Sequence, residues 1–398
     1  MDRLRRLPSM QPSPLVAPGA DLTDEEVRRY ARHLILPEVG REGQRRLKNA
    51  RVLMVGAGGL GSPGLLYLAA AGVGTIGIID FDVVDESNLH RQVIHGTGDL
   101  GRPKVESAAE AVARVNPLVR VITHSERLDA TSAPGIVEGY DLVVDGTDNF
   151  PTRYLVNDVC GLLGKPYVWA SIFRFDGQLS VFWAGRGPCY RCLFPTPPPP
   201  GAVPSCAEGG VLGVLPGLLG TAQANEAIKL IIGMGDPLVG RVAIHDSLRA
   251  TWQEIRVRAD PRCVLCGDSP TITEPIDYAA FCAGPAAVSD EGPLPEVSPR
   301  DLAGFLASGE EFTLVDVREP HEREINRIDR AIGVPKSLFE TGEAWTLLPD
   351  GPLIVHCKSG VRSAQVLRTL MAAGREARHL AGGIDAWIDE IQPDLARY

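Results

Sequence analysis

Between Arg51 and Ala170 the chain alternates short apolar runs with stretches of helical spacing. Arg51–Val55, Thr75–Asp80, Asp141–Asp145 and Pro166–Ala170 are compact runs rich in apolar and β-branched residues. Runs of this length, bounded by turn residues, predict strands buried on both faces. Gly56–Gly61 is a turn and Ser62–Ala71 a helix; Pro103–Val115 is a second helix with proline in its first turn, where the missing N–H has no intrahelical partner to lose. Strand, helix and strand in alternation predict an α/β fold with a doubly wound, Rossmann-like sheet. Upstream, Asp21–Leu47 reads as helical, with Thr23 as N-cap ahead of Asp24, Glu25 and Glu26. Downstream, Gln178–Trp183 and Arg241–His245 predict strands of a more antiparallel part, so the sheet is mixed. Thr313–Val317, Leu353–His356 and the helix Arg362–Ala373 repeat the α/β rhythm on a smaller scale.

With 398 residues, two domains are the natural division. Residues 1–20, proline-rich and aperiodic, form a disordered lead. Residues 21–268 form the large domain, 269–296 an Ala/Pro/Gly-rich linker, and 297–398 a second small α/β domain. Pro195–Gly210, with its four consecutive prolines, reads as a mobile loop. A net charge of −10 argues against nucleic-acid binding, which needs a basic excess. Polar and charged residues break every long apolar stretch, and no signal peptide stands out, so neither a membrane span nor export is expected. In a cytoplasmic protein the eight cysteines are thiols or metal ligands.

The glycine turn carries the first chemistry. Gly56, Gly58 and Gly61 satisfy G-x-G-x-x-G between a strand and a helix, Gly59 lies within it, and Asp80 closes the next strand where a ribose-binding carboxylate is expected. Alone, this pattern fits a dinucleotide-binding oxidoreductase. The following residues favour a different ligand: Asn88, Arg91 and Gln92, then Lys104 at a helix start, and Asp148 and Asn149 at the end of another strand. So many cations suit a triphosphate and its departing pyrophosphate, and Asp148 is placed to hold magnesium or orient phosphates.

The cysteines divide into three groups. Cys189-Tyr-Arg-Cys192 and Cys263-Val-Leu-Cys266 are two C-x-x-C pairs, able together to close a structural zinc site that has no open position for chemistry. Cys160, in an apolar helical stretch, is a core residue, and Cys282 falls in the linker. Cys206 sits in the proline-rich loop, where a surface thiol without duty is one reading. Cys357 follows a strand and opens Cys-Lys-Ser-Gly-Val-Arg362, whose backbone N–H groups can stabilise a thiolate or an anion, with Arg362 fixing the loop and complementing that charge.

Arg29–Leu36, the glycine turn, Ser87–Gln92 and Asp145-Gly-Thr-Asp-Asn149 together resemble the E1-like activating enzymes of the MoeB/ThiF family over residues 20 to 270. Val297–Tyr398, with Asp316-Val-Arg318-Glu319, the Cys357 loop and Gly382-Gly-Ile-Asp-Ala-Trp387, resembles a rhodanese domain. One departure is Arg330, in Ile328-Asp-Arg-Ala331, where rhodaneses have glycine. The combination is that of adenylyltransferase/sulfurtransferases of the MoeZ type. The resemblance implies ATP, Mg²⁺ and a ubiquitin-like sulfur-carrier protein ending in Gly-Gly, which the enzyme adenylates. It implies Gly59 at the phosphates, Asp80 on the ribose, Asn88, Arg91 and Lys104 on the triphosphate, and Asp148 near the metal. Arg32 reaching into a partner subunit's site implies a homodimer. Cys357 would carry a persulfide drawn from thiosulfate or a cysteine desulfurase, and Cys206 a transient thioester or disulfide. The chain ends Ala396-Arg-Tyr398 rather than Gly-Gly, which fits the activator and not the carrier. A nicotinamide-dependent oxidoreductase and a non-catalytic scaffold for a ubiquitin-like protein are the rival readings. The carrier's pathway, whether molybdopterin, cysteine, thiamine or a specialised product, stays open.

Overall fold

A computed structural model describes residues 13–199, 209–283 and 294–398. The chain divides into two compact units between residues 284 and 285. The first is built on an eight-stranded sheet: β1 (Arg51–Val55), β2 (Thr75–Ile79), β3 (Arg120–His124), β4 (Leu142–Asp145), β5 (Tyr167–Phe173), β6 (Asp176–Phe182), β7 (Arg241–Asp246) and β8 (Thr251–Arg256), in the order 3-2-1-4-5-6-7-8. Strands β3 to β5 across the sheet run parallel, whereas β5, β6, β7 and β8 pair antiparallel. The apolar runs explain the centre: Val52, Leu53 and Met54 of β1 are wholly buried, because helices cover both faces. The helix Val214–Ile232 packs on one face with Gly61–Ala71, and Phe150–Leu162 belongs to the core on the other. Sequence order reverses between β1 and β4, so the crevice beyond their carboxyl ends is where a ligand is expected in such a sheet.

The expected α/β class, with its mixed sheet, is what the fold has. Three local expectations differ. The single helix over Asp21–Leu47 is three: Asp24–Arg29, Ala31–Leu34 and Gly40–Asn49. Tyr30 leaves helical geometry at φ −97° and ψ 15°, and Pro37 and Gly40 (φ +53°) break the chain again. Thr23 does cap the first helix, in a reciprocal capping box with Glu26. Residues 13–20, assigned to the disordered lead, lie on the large unit: Val16 is buried, and Arg46 and Asn49 donate to the carbonyls of Val16 and Ala17. The start of the expected linker also belongs there, because Tyr278 and Phe281, in the helix Tyr278–Ala283, dock on the core. Composition favoured a linker, but two aromatic rings are enough to hold the segment down.

The second unit has a five-stranded, all-parallel sheet: β9 (Glu296–Val297), β10 (Thr313–Asp316), β11 (Ile332–Gly333), β12 (Leu353–His356) and β13 (Ala377–Leu380), in the order 11-10-12-13-9. Every residue of the central β12 is buried, which is why it reads as one apolar run. Among the described residues no helix is long and apolar enough to cross a membrane.

Candidate functional site

The glycine turn lies at the carboxyl end of β1, and a cleft opens beside it. Gly61 must be glycine, since an added Cβ would stand 2.0 Å from the Gly56 carbonyl oxygen. The Ala57 peptide is held from both sides. Its N–H donates to Asp80 Oδ2 at 2.8 Å, and its carbonyl accepts from His95 Nε2 at 3.0 Å. A carbonyl cannot donate, so His95 carries a proton on Nε2, leaving Nδ1 facing Ser107 Oγ at 2.8 Å. Burial keeps this ring below the ordinary histidine range, hence neutral at pH 7.

Gly58, Gly59, Asp80, Arg91, Gln92, Lys104, Asp148 and Asn149 all line this one cleft. Their states differ. Lys104 Nζ is 3.0 Å from Asp82 Oδ2. Arg91 folds back onto the Ser87 carbonyl and the His90 ring, at 2.8 and 2.9 Å. Gln92 Oε1 is buried with no partner, a polar atom left for something the cleft would hold. Asn149 caps the helix Phe150–Leu162 by accepting from Thr152 N–H. Asp148 makes no hydrogen bond or ion pair with any described residue, so its carboxylate is available to a cation. Asn88 and Arg32 do not line the cleft, and Gly61 serves the turn without reaching it.

Sequence reasoning missed several lining groups. Arg153 is buried one helical turn after Asn149, donates to the Thr147 carbonyl at 3.3 Å and leaves Nε unpartnered. The cap residue plus i+4 spacing was a usable signal for it. Arg127 stacks on Phe81, 4.0 Å from the ring centroid, at the far wall. Asp145, wholly buried beneath the cleft with one unpartnered oxygen, is pushed above the usual carboxylate range by burial.

The four paired cysteines converge. Cys189, Cys192, Cys263 and Cys266 place their sulfur atoms within 4.8 Å of one another, with separations such as 3.4 Å for Cys192–Cys266 and 3.5 Å for Cys189–Cys263. Zinc–thiolate bonds set tetrahedral sulfur edges at about 3.8 Å, so the donor set fits zinc. Arg191, inside the first pair, is buried and makes a bidentate pair with buried Asp158 at 2.7 Å, which also accepts from Tyr278 at 3.0 Å. Cys160 is in the core, as its apolar surroundings predict, and Cys282 is partly buried on the helix Tyr278–Ala283. Cys206 lies outside the described residues.

In the second unit β12 feeds the Cys357 loop into the helix Val361–Ala372. Cys357 is 1% exposed, and its Sγ accepts the Gly360 N–H at 3.1 Å, with Ser363 Oγ at 3.5 Å. Gly360 adopts φ +96°, which lets the loop close. Gly383 underlies it, because an added Cβ would meet the Lys358 carbonyl at 2.3 Å. Arg362 fixes the loop but is not a free cation. Its guanidinium holds both oxygens of Glu322, at 2.6 and 2.7 Å. Burial alone would raise Glu322; Arg362 and the Glu319 N–H outweigh it and hold the carboxyl below its usual range. Behind them Asp316 and Arg318 form a fully buried ion pair at 2.7 Å.

Residues 30–265 match the ThiF family and residues 298–390 the rhodanese-like domain. The chain is 53% identical to a probable adenylyltransferase/sulfurtransferase MoeZ of Mycobacterium tuberculosis, over 97% of this chain and 98% of that one. It is 56% identical to a sulfur carrier protein adenylyltransferase of Thermus thermophilus, over 65% of this chain and 98% of that one. Among solved structures, E. coli MccB with ATP is similar at a TM-score of 0.54 and 23% identity, over 60% of this chain and 73% of that one, a likeness of fold. The chain therefore belongs to the ThiF family, as one of its adenylyltransferase/sulfurtransferases that carry a rhodanese-like domain.

Proposed function

We propose that the enzyme adenylates the C-terminal glycine of a ubiquitin-like sulfur carrier at the glycine-turn cleft and then delivers sulfur from Cys357 to the activated carbonyl. The observation that carries this reading is the single cleft beside the turn, where Arg91, Lys104, Gln92 and Asp148 converge on one mouth. ATP fits such a lining: Gly58 and Gly59 let its phosphates approach the backbone, Asp80 faces the ribose, and Arg91 and Lys104 leave their local partners for phosphate oxygens. Asn88 is the family's further contact to the triphosphate, and Asn149 keeps Asp148 at the rim by capping its helix. Arg32, away from the cleft of its own subunit, would act in a partner's, which implies a homodimer. Asp148 would hold Mg²⁺, which when bound offsets charge on the phosphate oxygens. Cys189, Cys192, Cys263 and Cys266 would hold zinc, a closed and purely structural site.

The carrier carboxylate attacks the α-phosphorus, the bond to the β-phosphate oxygen breaks, and pyrophosphate leaves. The terminal sulfur of a Cys357 persulfide then attacks the acyl carbon and AMP departs, leaving an acyl disulfide. A thiol, for which the family resemblance points to Cys206, attacks Cys357 Sγ. The carrier thiocarboxylate leaves, and an external dithiol reduces the disulfide that remains. The printed name of the Thermus relative, a sulfur carrier protein adenylyltransferase, supports the carrier as substrate. The test is exchange of labelled pyrophosphate into ATP, dependent on an added carrier ending in Gly-Gly, with mass spectrometry of that carrier after a persulfide donor is supplied. A gain of one sulfur for one oxygen is expected. Exchange with no carrier requirement, or a carrier that never gains sulfur, would refute the reading.

A further inference from the structure

The residue that ends the sequence, Tyr398, lies against both ends of the Cys357 loop. At the start of the loop the ammonium of Lys358 sits 4.5 Å from the centroid of its ring. At the far end its hydroxyl donates to Glu322 Oε1 at 2.8 Å, the oxygen that also takes Arg362 Nη2 at 2.7 Å. The same hydroxyl accepts from Arg318 Nη1 at 2.9 Å. One phenol therefore joins the buried Asp316–Arg318 pair to the Glu322–Arg362 pair and touches the residue next to Cys357. The preceding segment is held as well, since Asn326 Nδ2 donates to the Ala396 carbonyl at 2.5 Å.

We propose that Tyr398 is a positioning residue for sulfur transfer, bracing the loop at Lys358 and, through Glu322, at Arg362. The proposal rests on Cys357 carrying the sulfur. The brace has two separable parts. The hydroxyl fixes Glu322, and with it the guanidinium that ends the loop, so it acts on the geometry of the reacting sulfur. The ring holds the ammonium of Lys358, the residue that follows Cys357, so it acts on attraction of an anionic donor. Removing the hydroxyl leaves Arg318 with Asp316 and Asn326, and Glu322 with Arg362, so the fold keeps its principal ion pairs. The loop then loses its rigid tie, not its residues.

The test uses the full chain with thiosulfate as donor and cyanide as acceptor. In that cycle the Cys357 thiolate takes the outer sulfur of thiosulfate and releases sulfite. Cyanide then attacks the terminal sulfur, giving thiocyanate and restoring the thiolate. Tyr398→Phe should lower kcat about tenfold with KM for thiosulfate nearly unchanged, since a hydrogen bond to a charged group is lost and the ring stays. Tyr398→Ala should lower kcat similarly and raise KM about threefold, the size expected of a partly solvated cation–π contact. Lys358→Met should raise KM at least as much, and combining it with Tyr398→Ala should raise KM no further than Lys358→Met alone, because the ring acts on the donor only through that ammonium. Wild-type kcat and KM in both Tyr398 variants would overturn the proposal, and so would additive KM effects in the double variant. Should Tyr398→Ala fail to fold, Tyr398→Phe alone decides: an unchanged kcat refutes the brace. Cys357→Ser, run alongside, separates the two ideas. Activity surviving in it would overturn the reading of Cys357 itself, whereas its loss with normal Tyr398 variants would overturn the brace alone.

Discussion

The molecule contains two turns built on one plan and finished in opposite ways. In each, the strand at the centre of a parallel arrangement, β1 or β12, ends in a turn that glycine makes possible and that opens a helix. The turn after β1 is left open. Cationic and amide side chains stand around it, Gln92 and Arg153 keep unpartnered polar atoms, and Asp148 is uncommitted. The turn after β12 is shut. Cys357 is buried, Arg362 is spent on Glu322, and the Lys358 ammonium lies over an aromatic ring. Under the proposed function, the difference follows from what each would hold. A triphosphate brings its own charge and must find cations free to move onto it. A single sulfur atom needs backbone N–H groups at fixed distance, and loose charges near it would only blur that geometry.

The comparison breaks most sharply if the turns are disabled one at a time. Gly61→Ala drives a Cβ into the Gly56 carbonyl, so pyrophosphate exchange should fall by more than about a hundredfold, the loss expected when a backbone clash displaces positioning groups. Thiosulfate–cyanide transfer by the second unit should persist. Cys357→Ser should do the reverse, abolishing transfer with exchange intact. Two assays on two variants decide it. Coupled loss in both would mean that the turns do not work as separate sites.

Each unit also contains a buried ion pair, Asp158–Arg191 in the first and Asp316–Arg318 in the second. Removing one partner strands the other charge away from water, at about 3–5 kcal/mol. Asp158→Asn should therefore lower the urea midpoint of the first unit, and Asp316→Asn that of the second, with the other unit's transition unmoved. The Asp158 variant should also release the helix Tyr278–Ala283, read out as proteolysis near residue 278, because Tyr278 donates to that carboxylate.

These pairs mark the boundary of what the sequence discloses. The glycine turn and both C-x-x-C pairs are legible because their meaning depends on spacings of a few residues along one strand, turn or knuckle. The central strands are legible because burial on both faces writes an unbroken apolar run. His95 and Glu322 are not, since a polar residue's role there depends on which distant group it meets. His95 grips Ala57 across 38 positions, and Arg362 finds Glu322 across 40. Tyr398 is further still, meeting Glu322 across 76 positions. The expected linker misled for the same reason: its composition is that of a spacer, and only the fold reveals that Tyr278 and Phe281 are anchors.

A histidine behind each turn gives a comparison that pH can probe. His95 and His356 are both held below the ordinary value of 6.5 by burial, so both are neutral in the fold. The unfolded chain then binds more protons than the native one just below pH 6.5, and stability falls as pH drops through that range; above it neither group contributes a slope. The two should differ in how much. Both ring nitrogens of His95 have partners, and Ser107 can accept from a protonated ring, whereas His356 Nε2 is buried without a hydrogen bond, 3.7 Å from Asp316. Urea midpoints between pH 5 and 8 should show a slope in each unit, and His356→Phe should flatten the second unit's alone. An unchanged slope would assign the acid sensitivity to the carboxylates instead.

The smallest effect concerns Arg330, where the second unit keeps a strained residue at the place a rhodanese has glycine. Its φ of +67° lies in the left-handed region. A side chain there costs about 1–2 kcal/mol relative to the right-handed form. Glycine would remove that strain but add about 0.5–1 kcal/mol of unfolded-chain entropy to be lost on folding. The balance favours Arg330→Gly by about 0.5–1 kcal/mol. The second unit's urea midpoint should rise by that amount, with sulfur transfer unchanged because Arg330 lines a hollow with Phe305, Leu314 and Ile332 that no residue of the Cys357 loop lines. Arg330→Ala keeps the strain and removes only the long side chain, so it should gain nothing. If alanine stabilises as much as glycine, the cost lies in the arginine side chain and not in its backbone.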